Sequence, residues 1–271
     1  MNKQRPAGVG RSANVESHAP GRLSADNSAQ VEGRRRAFCR WISTWQTCGV
    51  TASTPQRDVI GYVATRVIDL EGDYLRIAVD GVDGSGKTAF AERIAAAIRV
   101  LGRPVVRISL DDFHNVRSIR YRQGRDSPDG FWQDSYNYAR FHHDVLDPFS
   151  PGGSRRYRPA AHDVETDAVL HVEPRVAEPG AILVVDGLFL HRKELVAQWD
   201  LSVFLDVPFE VTAKRMAVRD GTSPDPNHPS MHRYVEGQRI YFRTCSPHQR
   251  ASIVIDNQDF DAPRILRGMT H

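Results

Sequence analysis

An α/β fold, a three-layer sandwich on a mostly parallel five-stranded sheet, is predicted by three observations. A glycine-rich octet, Gly81-Val82-Asp83-Gly84-Ser85-Gly86-Lys87-Thr88, stands between an apolar run and an amphipathic one. Two further apolar runs, residues 105–110 and 181–185, each lead directly into an acidic residue. Between these runs the apolar period becomes helical, and strands alternating with helices build a parallel sheet covered on both faces.

The chain opens with an extension, residues 1–54, that holds eight basic residues against three acidic ones. Ser, Ala, Gly, Asn and Arg dominate its first 36 residues without a hydrophobic period, a composition expected to stay disordered because too little apolar area offsets the entropy of ordering. An organelle transit peptide or a translation start assigned too early would look the same. Phe38, Trp41, Ile42 and Trp45 then fall at helical spacing, as in a short helix docked on the body.

From Pro55 onward a single domain, residues 55–271, is expected. Val59, Tyr62, Val63, Val67 and Leu70 mark one face of a helix that Glu71-Gly72-Asp73 closes. Residues 74–79 read as a buried strand. Beyond the octet, Phe90, Ile94, Ala97, Ile98 and Leu101 give the next helical face, with Gly102 and Pro104 as stop signals. The second strand, residues 105–110, ends in Asp111-Asp112-Phe113-His114. Residues 115–180 read as an insertion over the binding edge, with Tyr138, Phe141 and Val145 on one helical face and a hairpin pairing residues 155–158 with 168–172. A third strand, 181–185, reaches Asp186-Gly187. A fourth, 201–207, feeds a helix running to Arg219 and a lid over about 219–232, and a fifth, 253–255, follows.

The octet has the Gly-x4-Gly-Lys-Thr spacing of a phosphate-binding P-loop. In such a loop Gly81, Gly84 and Gly86 let the N–H groups of Asp83, Ser85 and their neighbours converge on phosphate oxygens. Lys87 reaches the β- and γ-phosphates and Thr88 offers its hydroxyl to Mg²⁺. Phe90, one helical turn into the next segment, is counted with these cofactor residues. Asp186 occupies the Walker-B place, where an acid holds Mg²⁺ or its water. The expected fold is thus a P-loop NTPase sandwich, and the expected cofactors are ATP and Mg²⁺.

Composition narrows the class further. Cys39, Cys48 and Cys245 form neither a CxxC pair nor an even framework, so a disulfide scaffold and a zinc site are poorly supported and a reducing, cytoplasmic setting is expected. No run approaches the roughly 20 apolar residues of a membrane span. The net charge of +3 is confined to the extension, which leaves a mildly acidic body unsuited to a phosphate backbone. No nucleic acid and no membrane are therefore expected as partners, and a homo-oligomer is left open; ATP is the partner expected of the octet, joined, if the P-loop is a kinase's, by a small hydroxyl acceptor.

A P-loop serves ATPases, GTPases and kinases alike. The guanine-reading Asn-Lys-x-Asp has no match, since Asn257-Gln258-Asp259 lacks its spacing and lysine. A kinase needs a base for the acceptor hydroxyl and cations for the moving phosphoryl group. Asp111 at a strand end is the candidate base, against the alternative that it or Asp112 caps the following helix. Arg215 and Arg219 share a helical face leading into Asp220-Gly221-Thr222-Ser223, the expected lid, and are the candidate cations. Phe131 and Tyr157 are candidates to stack on a base, and His162 is the one histidine singled out for the acceptor.

These residues together resemble the uridine kinase and phosphoribulokinase family across roughly residues 57–260. The family's Asp-x-Phe-Tyr/His is matched by Asp111-Asp112-Phe113-His114, which implies that Asp111 is the base. Pro128-Asp129-Gly130-Phe131 matches its Pro-Asp-Ala-Phe and implies that Asp129 binds acceptor hydroxyls. Asp186-Gly187 stands for Glu-Gly, Phe204-Leu205-Asp206 for Phe-Val-Asp, and Arg215 to Asp220 for the lid entry. The resemblance implies phosphoryl transfer to a primary hydroxyl, first of all the 5′-hydroxyl of uridine or cytidine. Another nucleoside, a phosphopentose, pantothenate, or a non-catalytic ATP-binding regulator are the alternatives. The departures fall where substrate is read: Pro159-Ala160-Ala161-His162-Asp163-Val164 replaces the Tyr-Asp-Phe segment, and Asp167 and Val169 stand where a His and an Arg would. The lid lacks Glu-Arg-Gly-Arg, and Arg215 lies one residue further from Arg219 than in the family.

Overall fold

The computed structural model describes residues 54–269. Six strands form the main sheet: β1 (Arg76–Gly81), β2 (Val105–Ser109), β3 (Ile182–Asp186), β4 (Leu201–Asp206), β5 (Ile253–Asp256) and β6 (Arg264–Arg267). Their order is β6-β5-β4-β1-β3-β2, parallel throughout except that β6 runs antiparallel to β5. The sequence reading stopped at five strands. Its sixth is short, exposed at every residue and half arginine, so it carries none of the apolar pattern that marks the others.

Side-chain alternation along the strands makes the sandwich. Ile77, Val79, Ile182 and Val184 are buried on one face against α1 (Pro55–Asp69) and α2 (Lys87–Val100), which present Val63, Val67, Ile94 and Ile98. Ala78, Leu183 and Val185 point the other way, into a core shared with Phe113, Phe131, Phe189 and Tyr241. Helix α1 starts where it was expected to, because Pro55 has the φ its first turn needs and the Thr54 hydroxyl accepts the Arg57 N–H.

The second layer is made largely by the insertion and by α5 (His232–Cys245), which follows α4 (Phe209–Asp220). Helix α3 (Pro128–Asp134) packs directly on α5. The approach is close enough that a Cβ on Gly237 would lie 2.7 Å from the Phe131 ring and 3.0 Å from the Pro128 carbonyl oxygen. Inside the insertion the strand pairing differs from the expected hairpin. Arg156–Tyr157 pairs with Arg175–Val176, and His162–Asp163 pairs with Ala168–Val169. The cause is a turn that the apolar pattern does not reveal: Asp163 accepts the N–H groups of Glu165 and Thr166, and Asp167 takes a left-handed φ of 64°, so the chain reverses there. The extension and its expected helix at residues 38–45 lie outside the described residues. Among the described residues, no helix is long and apolar enough to cross a membrane.

Candidate active site

The carboxyl ends of β1, β2 and β3 meet at one edge, since Val79 and Ser109 both pair with Asp186. Brackets of strand ends around a change in connection direction are where open α/β sheets bind ligands. The octet folds there as a cradle. Gly81, Gly84 and Gly86 have φ of 157°, 74° and 91°, and at Gly84 a Cβ would fall 2.8 Å from the Thr212 carbonyl oxygen. Gly84 and Gly86 thus stand in conformations that other residues adopt only under strain. Lys87 opens α2 with its Nζ donating to the Val82 carbonyl at 2.9 Å.

At the end of the cradle, the Thr88 hydroxyl donates to Asp186 Oδ2 at 2.7 Å, and Arg107 donates to Asp186 Oδ1 at 2.7 Å. Asp112 lies within the field of Asp111 and Asp186. Burial first, and then these two carboxylates, push its carboxyl above the ordinary range. A hydroxyl and neighbouring carboxylates are hard oxygen donors, the set Mg²⁺ takes alongside substrate phosphates, so the residues fit that ion. Among the described residues no group of three or more His, Cys, Asp or Glu forms a metal cage by itself.

Asp111 is exposed at the end of β2, and neither it nor Asp112 provides the cap of the turn. Ser109 does, its hydroxyl accepting the Asp111 N–H at 3.3 Å. The Asp111 carboxylate is therefore free of that duty and accepts one bond from the Tyr136 hydroxyl at 2.7 Å. Tyr136 is buried, and burial followed by the Asp111 charge raises its hydroxyl well above the usual phenol range, so it remains a donor. His114 bonds the Asp111 carbonyl at 2.7 Å and packs on the Tyr136 ring with centroids 4.5 Å apart. Burial lowers its imidazole pKa, against the pull of Asp111. Burial pushes the Asp83 carboxyl up despite Lys87, and the charges of Asp111, Arg219 and Asp220 also reach it.

The two candidate arginines part company. Arg219 is exposed, pairs with its neighbour Asp220 at 2.7 Å, and feels both Asp83 and Asp111. Arg215 instead donates to the carbonyls of Gly84, Asn257 and Gln258 and lies 3.7 Å over the Phe260 ring. Its guanidinium is committed to bracing the rear of the cradle. Phe260 itself lies so near Gly86 that a Cβ there would come within 2.6 Å of the ring, and Asn257 donates to the Ser85 carbonyl at 2.7 Å. Three further residues counted at the site lie in the core. Phe90 packs with Ile94 and the sheet, Phe131 against Phe189 and Tyr234, and Tyr157 against Phe149. Each is at most 8 % exposed, which leaves no ring face for a ligand. Asp129 is exposed in the first turn of α3, and His162 is buried beside Asp167.

Beneath the cradle lies a group the sequence reading passed over. Asp80, at the end of β1, is fully buried and accepts from Gly81 N at 2.7 Å, His191 Nδ1 at 2.7 Å, His191 N at 3.2 Å and the Tyr241 hydroxyl. Its only signal in the sequence is an acid inside an apolar strand.

The model of the phosphoribulokinase/uridine kinase family matches residues 76–224. The chain belongs to that family. This kinase also superimposes on a possible uridine kinase from Bacillus stearothermophilus at 23% identity and a TM-score of 0.59, over 73% of this chain and 97% of that one. A protein named as a fructose transport system kinase from Silicibacter follows at 19% identity and a TM-score of 0.57, over 72% of this chain and 96% of that one. Both likenesses are of fold. A comparison with curated proteins finds no match. Family membership makes this a P-loop kinase acting on a small hydroxyl acceptor.

Proposed function

We propose that this kinase uses ATP and Mg²⁺ to phosphorylate a primary hydroxyl of a small sugar-bearing acceptor, with Asp111 as general base. The observation that carries the reading is the Asp111 carboxylate at the carboxyl end of β2, released from capping by Ser109 and oriented by Tyr136. In this reading the backbone of residues 81–88 holds the phosphates, and Lys87 leaves the Val82 carbonyl for the β- and γ-oxygens. Thr88 and Asp186 would hold Mg²⁺, which would supply positive charge to offset that of the phosphates. Asp111 orients the acceptor hydroxyl and takes its proton, Asp129 binds neighbouring hydroxyls, and Arg219 meets the charge on the moving phosphoryl group as the segment after Gly221 closes over it.

The family resemblance puts the 5′-hydroxyl of uridine or cytidine first. A specific observation favours a different acceptor such as a phosphopentose or pantothenate: Phe131 and Tyr157, the rings that would stack on a base, are buried in the core. ADP release across nucleosides, phosphopentoses and pantothenate, with Lys87→Ala as control, tests the proposal. Asp111→Asn is expected to lower kcat by roughly 10²–10⁴ while ATP still binds. Near-normal turnover in that variant would remove Asp111 from the role, and ADP release indifferent to every acceptor would favour an ATP-binding regulator.

A further inference from the structure

One corner beside Asp111 holds more cationic hydrogen-bonding capacity than its own acid can use. Ala161 N donates to the Asp112 carbonyl at 2.9 Å and so fixes the next residue, His162, alongside the strand end. His162 is 3 % exposed and its Nε2 bonds Asp167 at 3.1 Å. Arg120, 8 % exposed, bonds the same carboxylate at 3.3 Å, and the Arg117 N–H bonds it at 2.9 Å. Both His162 and Arg120 are close enough for their charges to act on His114, the residue that bonds the Asp111 carbonyl.

Two polar atoms in this corner are left over. His162 Nδ1 and Arg120 Nε are buried without a hydrogen-bond partner among the described residues. Buried polar atoms are nearly always paired, and an unmet guanidinium N–H is among the costlier exceptions. Asp167 is already shared by three donors, while Asp163, next to His162 in the chain, is turned to the N–H groups of Glu165 and Thr166. The missing partner is therefore an acceptor that the protein does not supply. Arg120 Nε offers only a donor. His162, held by an acid at Nε2, becomes a second cationic donor when an anion meets Nδ1.

We propose that His162 and Arg120 bind an anionic group, a phosphate or a carboxylate, carried by the acceptor whose hydroxyl meets Asp111. This rests on the kinase reading above and gives it a substrate class: an anionic hydroxy compound in place of a neutral nucleoside. The Asp-for-His and Val-for-Arg changes at Asp167 and Val169 then have a use, since Asp167 serves to hold two cations in position.

Two measurements separate this inference from the kinase reading. With the cradle saturated by ADP and Mg²⁺, inorganic phosphate is titrated by calorimetry into the full chain and into His162→Gln, which keeps a donor for Asp167 and loses Nδ1. A second variant, Arg120→Gln, reads the other orphaned atom. Phosphate is expected to bind the wild type and to bind each variant about tenfold or more weakly, the loss of one charged hydrogen bond, with ADP affinity unchanged. Turnover is then compared for acceptor pairs that differ in charge, pantothenate against pantothenol and a phosphopentose against the free pentose. The anionic member is expected to have the higher kcat/KM, by about a hundredfold, and to lose that advantage in His162→Gln. Phosphate binding that is absent, or equal in wild type and variants, overturns the inference. So does uridine or a neutral member turned over as well as its anionic counterpart, although the kinase reading then stands. Phosphate binding that depends on His162, with no acceptor turned over, supports the anion site and removes the sugar-bearing acceptors of the proposed function.

Discussion

Replacing Asp80 by Asn tests whether the acid under the cradle is held as a charge. All four groups around it are donors: the Gly81 and His191 backbone N–H groups, His191 Nδ1 and the Tyr241 hydroxyl. Burial and the Asp80 charge raise the Tyr241 hydroxyl well above the ordinary phenol range, so it stays protonated and donating. An amide in the same place has one oxygen, and its NH₂ must turn toward a donor. With its oxygen at the Oδ2 place, the Gly81 N–H loses its acceptor outright, worth about 1.5–3 kcal/mol, and the other three bonds lose their charge assistance. The expected cost is about 3–5 kcal/mol, the range for breaking a buried ionic cluster, from a total stability of only about 5–15 kcal/mol. Tyr241→Phe removes a single donor and should cost about 1.5–3 kcal/mol. Urea unfolding followed by tryptophan fluorescence gives both values. Because Gly81 N is one of the four donors, the Asn variant should also raise KM for ATP more than it lowers kcat. An Asp80→Asn protein within about 1 kcal/mol of wild type, or less damaged than Tyr241→Phe, would refute the argument.

Two other outcomes follow from the site's geometry. Arg219→Ala should lower kcat by about 10²–10³ with the ATP KM nearly kept, the scale for losing one charge-stabilising group. Arg215→Ala, which unties the cradle from Asn257 and Gln258, should act mainly on the ATP KM; steady-state kinetics with ATP varied separates the two. Asp112 gives a pH signature. Its folded carboxyl sits above the ordinary 3.8, so the fold favours the protonated form, and ionisation costs stability once pH exceeds the folded value. In Mg²⁺-free buffer Asp112→Asn should therefore raise Tm at neutral pH, with the gain shrinking as pH falls through the folded pKa toward 3.8. A gain that grows on acidification would reverse the assignment.

The layers of this fold were legible because burial writes itself into a strand of apolar residues: β1, β2, β3 and β4 lie within a residue or two of the runs that marked them. β6 was not, since an exposed edge strand needs only backbone partners and its residues are free to be polar. The cradle was legible through glycine spacing, a constraint on φ that few other structures impose. Phe90, Phe131 and Tyr157 were read as site residues and are found packed in the core, because an aromatic ring looks the same in a sequence whether it meets a ligand or the core. The distribution of labour between Arg215 and Arg219 was hidden for a related reason. Their separation puts both on one helical face, but the loop that captures Arg215 arrives about forty residues later, at Asn257 and Gln258. The Asp163 turn and the Asp167 pairing with Arg120 likewise depend on side chains meeting across the insertion, where no periodicity carries information.

The placement of β1 at the middle of the sheet has a consequence for how the protein is made. β1 leaves the ribosome before its two neighbours, yet Ile77 pairs with Val184 on one side and Leu201 on the other. Both partners are more than a hundred residues away in the chain, and closing loops of that length delays assembly. The phosphate cradle therefore cannot take shape on a nascent chain until residue 206 has emerged, and nucleotide capture is a late event that reports a nearly finished domain.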